Sequence, residues 1–154
     1  MERERRRRLV QQYRDGYAEV VQALEGATDA DLDRRPAPGK WTPREIVHHL
    51  ADSEMTSAIR LRRLVAEENP LIVGYDQEEF ARRLKYDRPI AASLAAFKAA
   101  RETTSEILDL LSEEEWARKG THSDSGAYGV ETWLEIYAIH AHDHAAQIRR
   151  ARAS

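Results

Sequence analysis

Residues 41–54 read WTPREIVHHLADSE, and the start of this stretch sets the frame for the rest of the chain. Thr42 stands where a helix needs an N-cap hydroxyl, Pro43 occupies the first helical position, and Glu45 completes a capping box. Trp41, just before the cap, is placed to staple onto Ile46. From this start a helical pattern continues to about Glu67, where Asn69-Pro70 stops it. Two adjacent histidines, His48 and His49, lie near the beginning of that helix.

On either side the chain resolves into three more long helical stretches. The first runs from about Arg3 to Glu25, with Leu9, Val10, Tyr13, Tyr17, Val20, Val21 and Leu24 in helical period. It ends in DLDRRPAPGK, residues 31–40, whose two prolines and glycine forbid continuation. Beyond Pro70, Asp76 with Glu79 suggests a short helix over DQEEFARRLK, residues 76–85. The third long helix spans about Ile90 to Leu111 and carries Leu94, Phe97, Ile107, Leu108 and Leu111. Ser112 and Glu115 form a second capping box before a short turn at Trp116. KGTHSDSGAYG, residues 119–129, reads as a small hairpin or an irregular loop, and Val130 to Arg150 is the last long helix.

Antiparallel neighbours are usually joined by about 2–8 residues. The long connection after the second helix therefore predicts a crossover, in an all-α four-helix bundle formed as one domain over residues 1–154.

Charged residues make up 33% of the chain and net charge is −3, so no global basic field points to nucleic acid. The one basic run, Arg3 and Arg5 to Arg8, is broken by Glu2 and Glu4 and reads as a solvated helix start. There is no cysteine, which removes disulfides, thiolate metal ligands and a protein-borne thiol nucleophile. No apolar run approaches the ~18 residues of a membrane span, and a cytoplasmic protein is the expectation.

The histidines carry the chemistry. His140 and His144 lie four apart in WLEIYAIHAHDHAAQIRR, residues 133–150, so both rings project from one helix face. His142 is rotated about 200° from His140 and points away. On the second helix, His49 shares a face with Ile46, Ser53, Thr56 and Arg60, whereas His48 lies nearer Asp52 and Met55. Periodicity alone leaves open which of His48 and His49 faces inward.

If the two helices pack together, three neutral imidazoles meet. That donor set suits a divalent transition metal with open coordination positions, the catalytic rather than the structural pattern. Asp52, Glu54 and Asp143 are candidates for orienting the imidazoles or moving protons, and Gln147 for hydrogen bonding a metal-bound species or capping the core. Arg60 reads as a surface arginine, with an anionic substrate group as the alternative role. Trp41, Trp133 and Tyr137 read as core or staple aromatics, Tyr75 and Asp76 as structural, and His122 as a loop residue that lies in solvent or, alternatively, closes over the pocket.

The stretch WTPREIVHHLADSE, then NPLIVGYDQEEFA (residues 69–81), then a glycine-containing turn before HAHDHAAQI resembles the DinB superfamily, and within it the YfiT-like metal-dependent hydrolases. The resemblance covers about Tyr13 to Arg149. It implies a four-helix bundle in up-down-down-up order, with three histidines on a zinc or nickel ion. It selects His49, the histidine immediately before Leu50, together with His140 and His144 as ligands. The chain departs from the family pattern at Glu54, where relatives tend to carry histidine, and at Asp143 and Gln147, where they are richer in it.

By resemblance the activity is hydrolysis of a small molecule or S-transfer with a low-molecular-weight thiol. A thiol nucleophile would have to be a cosubstrate, because the chain has no cysteine. The competing expectation is a non-catalytic, metal-stabilised helical binding or stress-response module, assembled as a homodimer, with a closed coordination shell and no cleft.

Overall fold

A computed structural model describes residues 1–154. Four long helices dominate: α1 (Arg3–Leu24), α3 (Pro43–Ala66), α5 (Ala91–Leu110) and α7 (Val130–Ala153). Between them lie the short helices α2 (Asp29–Leu32), α4 (Gln77–Arg83) and α6 (Glu113–Trp116), and the strands β1 (Leu71–Ile72), β2 (Lys119–His122) and β3 (Gly126–Gly129).

The α3 cap forms as its sequence dictates. The Thr42 hydroxyl accepts from the Glu45 backbone N–H at 3.2 Å, and the Glu45 carboxylate accepts from the Thr42 N–H at 2.7 Å. Arg35 clamps both Glu45 oxygens, at 3.0 and 2.8 Å, and so ties the 31–40 segment to the start of α3.

Side-chain pairs between helices fix their directions. The start of α1 meets the start of α7 through the Met1 ammonium and Glu131, and their ends meet through Arg149 and Glu19, so α1 and α7 are parallel. His48 with Ser93 and Arg62 with Thr104 make α3 and α5 parallel. Arg14 with Asp109 and Tyr17 with Phe97 set α1 antiparallel to α5; the Trp133 indole N–H donating to the Ser57 carbonyl at 2.8 Å, together with His49 against His144, sets α7 antiparallel to α3. The order is up-down-down-up. The two parallel pairs require the chain to cross the length of the bundle between α3 and α5, which the segment containing β1 and α4 does.

The 119–129 segment is a hairpin. β2 pairs antiparallel with β3, from Lys119 opposite Gly129 to His122 opposite Gly126. The two-residue β1 adds in parallel beside β2, Leu71 against Thr121. This small sheet seals the end of the bundle where α7 begins.

The core has two apolar clusters. One gathers Tyr13, Leu61, Leu64, Trp133, Leu134 and Tyr137; the other gathers Val20, Ile46, Leu50, Phe97, Ala145 and Ile148. Between them lies a polar layer. Arg101, 2% exposed, donates to Glu54 from Nη2 at 2.8 Å and from Nε at 3.2 Å. Its Nη1 donates to the Tyr13 carbonyl, and its guanidinium stacks 4.1 Å from the Tyr13 ring centroid. The Tyr13 hydroxyl donates to Glu54. Gly16 makes room for this layer: a Cβ there would lie 2.7 Å from the Ala141 Cβ and overlap the Arg101 guanidinium. One turn from that layer along α7 stand the histidines.

Candidate metal centre

His49 comes from the second turn of α3, and His140 and His144 from successive turns of α7. The antiparallel packing of these two helices brings one ligating nitrogen from each ring within 4.8 Å of the other two. The His49 ring centroid lies 5.4 Å from that of His140 and 4.7 Å from that of His144. The Nε2 atoms of His140 and His144 are 3.2 Å apart. The Trp41 ring packs against that of His49, with centroids 4.7 Å apart and planes tilted by 45°.

Protonation follows from the surroundings. Burial, then the neighbouring His144, pushes His49 down to about 3. Burial, then His144, His49 and Arg101, pushes His140 down to about 2. Burial also lowers His144, partly offset by its hydrogen bond to Gln147. All three rings are therefore neutral at pH 7, the form in which imidazole binds metal. The His144 Nδ1–H donates to the Gln147 Oε1 at 2.8 Å, which leaves the lone pair on Nε2, facing His140.

These residues fit a metal ion. Two imidazole nitrogens at about 2.0–2.1 Å from a tetrahedral ion lie about 3.3–3.4 Å apart, close to the 3.2 Å between the His140 and His144 Nε2 atoms. The His140 Nδ1 is buried and has no hydrogen-bond partner. Three protein donors would leave the remaining coordination positions of such an ion open.

A cleft of about 230 Å³ leads to the group. His49, His140, Ser53, Arg60, Tyr75 and His122 are among the residues that line it. It runs between α3 and α7 under the segment that joins β1 to α4. The open cleft argues against the closed shell expected of a purely structural metal site.

Comparison with known proteins places this geometry in a family. The family model for the DinB superfamily matches residues 12–148. The chain belongs to the DinB superfamily.

YfiT of Bacillus subtilis is 33% identical to this superfamily member over 149 residues, covering 95% of this chain and 83% of YfiT. A protein of Oceanobacillus iheyensis is 38% identical over 117 residues, covering 76% of this chain and 68% of its own length. Both names mark candidate metal-dependent hydrolases. The solved structure of B. subtilis YfiT superposes with a TM-score of 0.91 at 31% identity, covering 98% of this chain and 87% of that one. It is described as a probable metal-dependent hydrolase with an unusual four-helix bundle topology.

Other residues of this DinB-superfamily chain fall elsewhere. His48 is fully buried with both nitrogens occupied: Nε2–H donates to the Arg88 carbonyl at 2.9 Å, and Nδ1 accepts from the Ser93 hydroxyl at 2.7 Å. It belongs to the α3–α5 seam. His142 points away from the cluster and donates from Nε2 to the Gln12 carbonyl at 2.8 Å, linking α7 to α1.

None of the three carboxylates considered for orienting the imidazoles is hydrogen bonded to one, whereas Gln147, considered for a metal-bound species or for capping the core, instead holds the His144 ring. Glu54 is tied to Arg101 and Tyr13 in the polar layer, and Asp52 accepts from the Tyr86 hydroxyl at 2.5 Å. Asp143 is exposed on α7 and raises the His144 pKa only through its charge.

His122 lies at the cleft rather than in open solvent, the second of its two sequence readings. It is half-buried at the cleft, with Nδ1 accepting from the Asp124 N–H at 3.1 Å, because the hairpin folds it back over the bundle end. Gln77 and Asp124 also line the cleft, and no local pattern marks them. Both arrive through the long connections, whose paths depend on tertiary packing.

Proposed function

We propose that this protein is a metal-dependent enzyme acting on a small molecule. His49, His140 and His144 hold a divalent transition metal, zinc or nickel, and water or a low-molecular-weight thiol cosubstrate serves as the nucleophile. The observation that carries the reading is the convergence of three neutral imidazoles, two with Nε2 atoms 3.2 Å apart, at one end of an open cleft. When bound, the ion supplies Lewis acidity and lowers the pKa of a water or thiol at its open position towards neutrality.

The chain's own residues do the rest. Gln147 holds His144 in the tautomer whose Nε2 carries the lone pair. Trp41 covers His49 and shields that side of the site from water. Ser53 and Tyr75 offer hydroxyls along the cleft for orienting a polar substrate. Hydrolysis is the favoured reaction, in keeping with the names of the relatives. S-transfer would place a thiol in the position of water and need an electrophilic cosubstrate whose leaving group the thiolate displaces.

Elemental analysis of protein purified from native-metal growth tests the site, with the His49→Ala and His144→Ala variants alongside. The expected result is near-stoichiometric metal in the parent and strong depletion in both variants. Full occupancy in either variant overturns the assignment. Screening the loaded protein with ester, amide and thiol-conjugation substrates then separates hydrolysis from S-transfer, and inactivity in every class would favour a non-catalytic metal-stabilised module.

A further inference from the structure

Arg60 is a cation in the cleft without a carboxylate. Its Nη1 donates to the Tyr137 hydroxyl at 3.1 Å and its Nη2 to the Val73 carbonyl at 3.0 Å, both neutral oxygens. Its Nε is buried with no partner. A guanidinium has five N–H donors, and these two bonds leave three uncommitted, Nε–H and one on each terminal nitrogen, where a carboxylate can take two at once.

The group is held in place. Tyr75 lies 5.9 Å beneath the guanidinium, and Tyr137 and Val73 fix two of its corners. By contrast Arg63, three residues on, is neutralised by Glu67 at 2.9 Å.

Position gives the charge a use. Arg60 shares its cleft with His49 and His140. The Tyr137 ring, whose hydroxyl it holds, lies 5.8 Å from the His140 ring, so one tyrosine separates the cation from the metal ligands. His122, with Nδ1 accepting from the backbone, carries its proton on Nε2 and adds a second donor to the cleft. Asp124 is the one carboxylate lining the cleft. It is exposed and accepts from the Ser123 hydroxyl at 3.2 Å, and its negative charge disfavours a phosphate dianion more than a single carboxylate.

We propose that Arg60 anchors a carboxylate of the substrate, so that the enzyme takes small carboxylate-bearing molecules whose reacting group sits at His49, His140 and His144. The inference rests on the metal-centre reading of the same cleft.

The test uses zinc-loaded protein and calorimetric titration with ω-mercaptoalkanoates of increasing chain length, the matching neutral ω-mercaptoalkanamides and the matching ω-mercaptoalkyl phosphates. The thiol reports the metal centre and the far end reports Arg60. Zinc-dependent binding of the neutral amides is expected. At one optimal chain length the carboxylate should bind about tenfold or more tighter than its amide. That ratio should collapse towards unity in Arg60→Gln and recover in part in Arg60→Lys, which keeps the charge but loses the fork.

Amides that fail to bind overturn the metal centre and this inference with it. Amides that bind with no carboxylate advantage at any length overturn the anchor alone, as does an advantage that survives in Arg60→Gln with its melting temperature intact. Phosphates that bind tighter than carboxylates overturn the substrate class.

Discussion

Gln147 and Glu54 are both polar neighbours of the histidine region, and their bonding gives them opposite roles. Gln147 accepts from the His144 Nδ1–H and so fixes which nitrogen is free. Gln147→Ala is expected to weaken zinc binding about 10–100-fold, the usual cost of removing an orienting partner. Chelator competition measures it, with little change in melting temperature for the metal-free protein.

Glu54 is fully buried and is the charge partner of Arg101. Glu54→Gln keeps the shape but strands a buried guanidinium, and the expected loss of stability is about 3–5 kcal/mol in denaturant titration. Zinc stoichiometry in that variant should stay intact, whereas loss of zinc without loss of stability would return Glu54 to the metal site. The Glu54 role was not legible locally, because the Glu54–Arg101 pair joins residues 47 apart in sequence, whereas Gln147 and His144 are only three apart on one helix. His49 and His48 were equally undecided by periodicity. The choice depends on how α3 is rotated against its neighbours, and it turns on Ser93 and Arg88 holding both nitrogens of His48.

Elements were legible where local chemistry is strong. The box at Thr42 and Glu45, the box at Ser112 and Glu115, and the Asp76 cap all form, because each is closed within one turn of chain. Thr28 with Asp31 closes a similar box over the one-turn α2, within a region that prolines made look like plain loop. β1 was missed for another reason. Two residues form a strand only when a partner supplies the hydrogen bonds, and that partner, β2, lies about fifty residues on.

The α3 cap also carries the site, since His49 lies in the helix it starts. Thr42→Ala is expected to cost about 1 kcal/mol, within a range of roughly 0.5–2. Hydrogen exchange should show faster opening of the first turns of α3, including the His49 amide. Thr42→Ser should restore most of the protection, and protection unaltered in the alanine variant would mean that packing around Ile46 and Val47 holds the turn without its cap.

At the level of the whole molecule, the bundle holds three imidazoles neutral in its interior and couples folding to pH. His49 and His140 fall from about 6.5 unfolded to about 3 and about 2 folded, and His144 is lowered as well. Above about pH 6.5 these rings are neutral in both states, and their contribution to stability is intact. As pH falls through that value the unfolded chain takes up protons that the folded core refuses. Stability then declines, by up to about 1.4 kcal/mol per pH unit for each of His49 and His140, until their folded values of about 3 and about 2 are reached.

Metal-free protein should therefore show a urea midpoint that is flat above pH 7 and drops steeply between about 6 and 4. Removing one ring with His49→Leu should reduce that slope by close to one proton. A slope the same in parent and variant would mean that the rings take up protons within the folded bundle. The neutrality that destabilises the metal-free fold in acid is also what keeps the site ready for metal. Because the folded His49 and His140 rings are already unprotonated near pH 5, zinc uptake at that pH should release almost no protons from these two rings to buffer, a quantity calorimetry in buffers of different ionisation enthalpy reads directly.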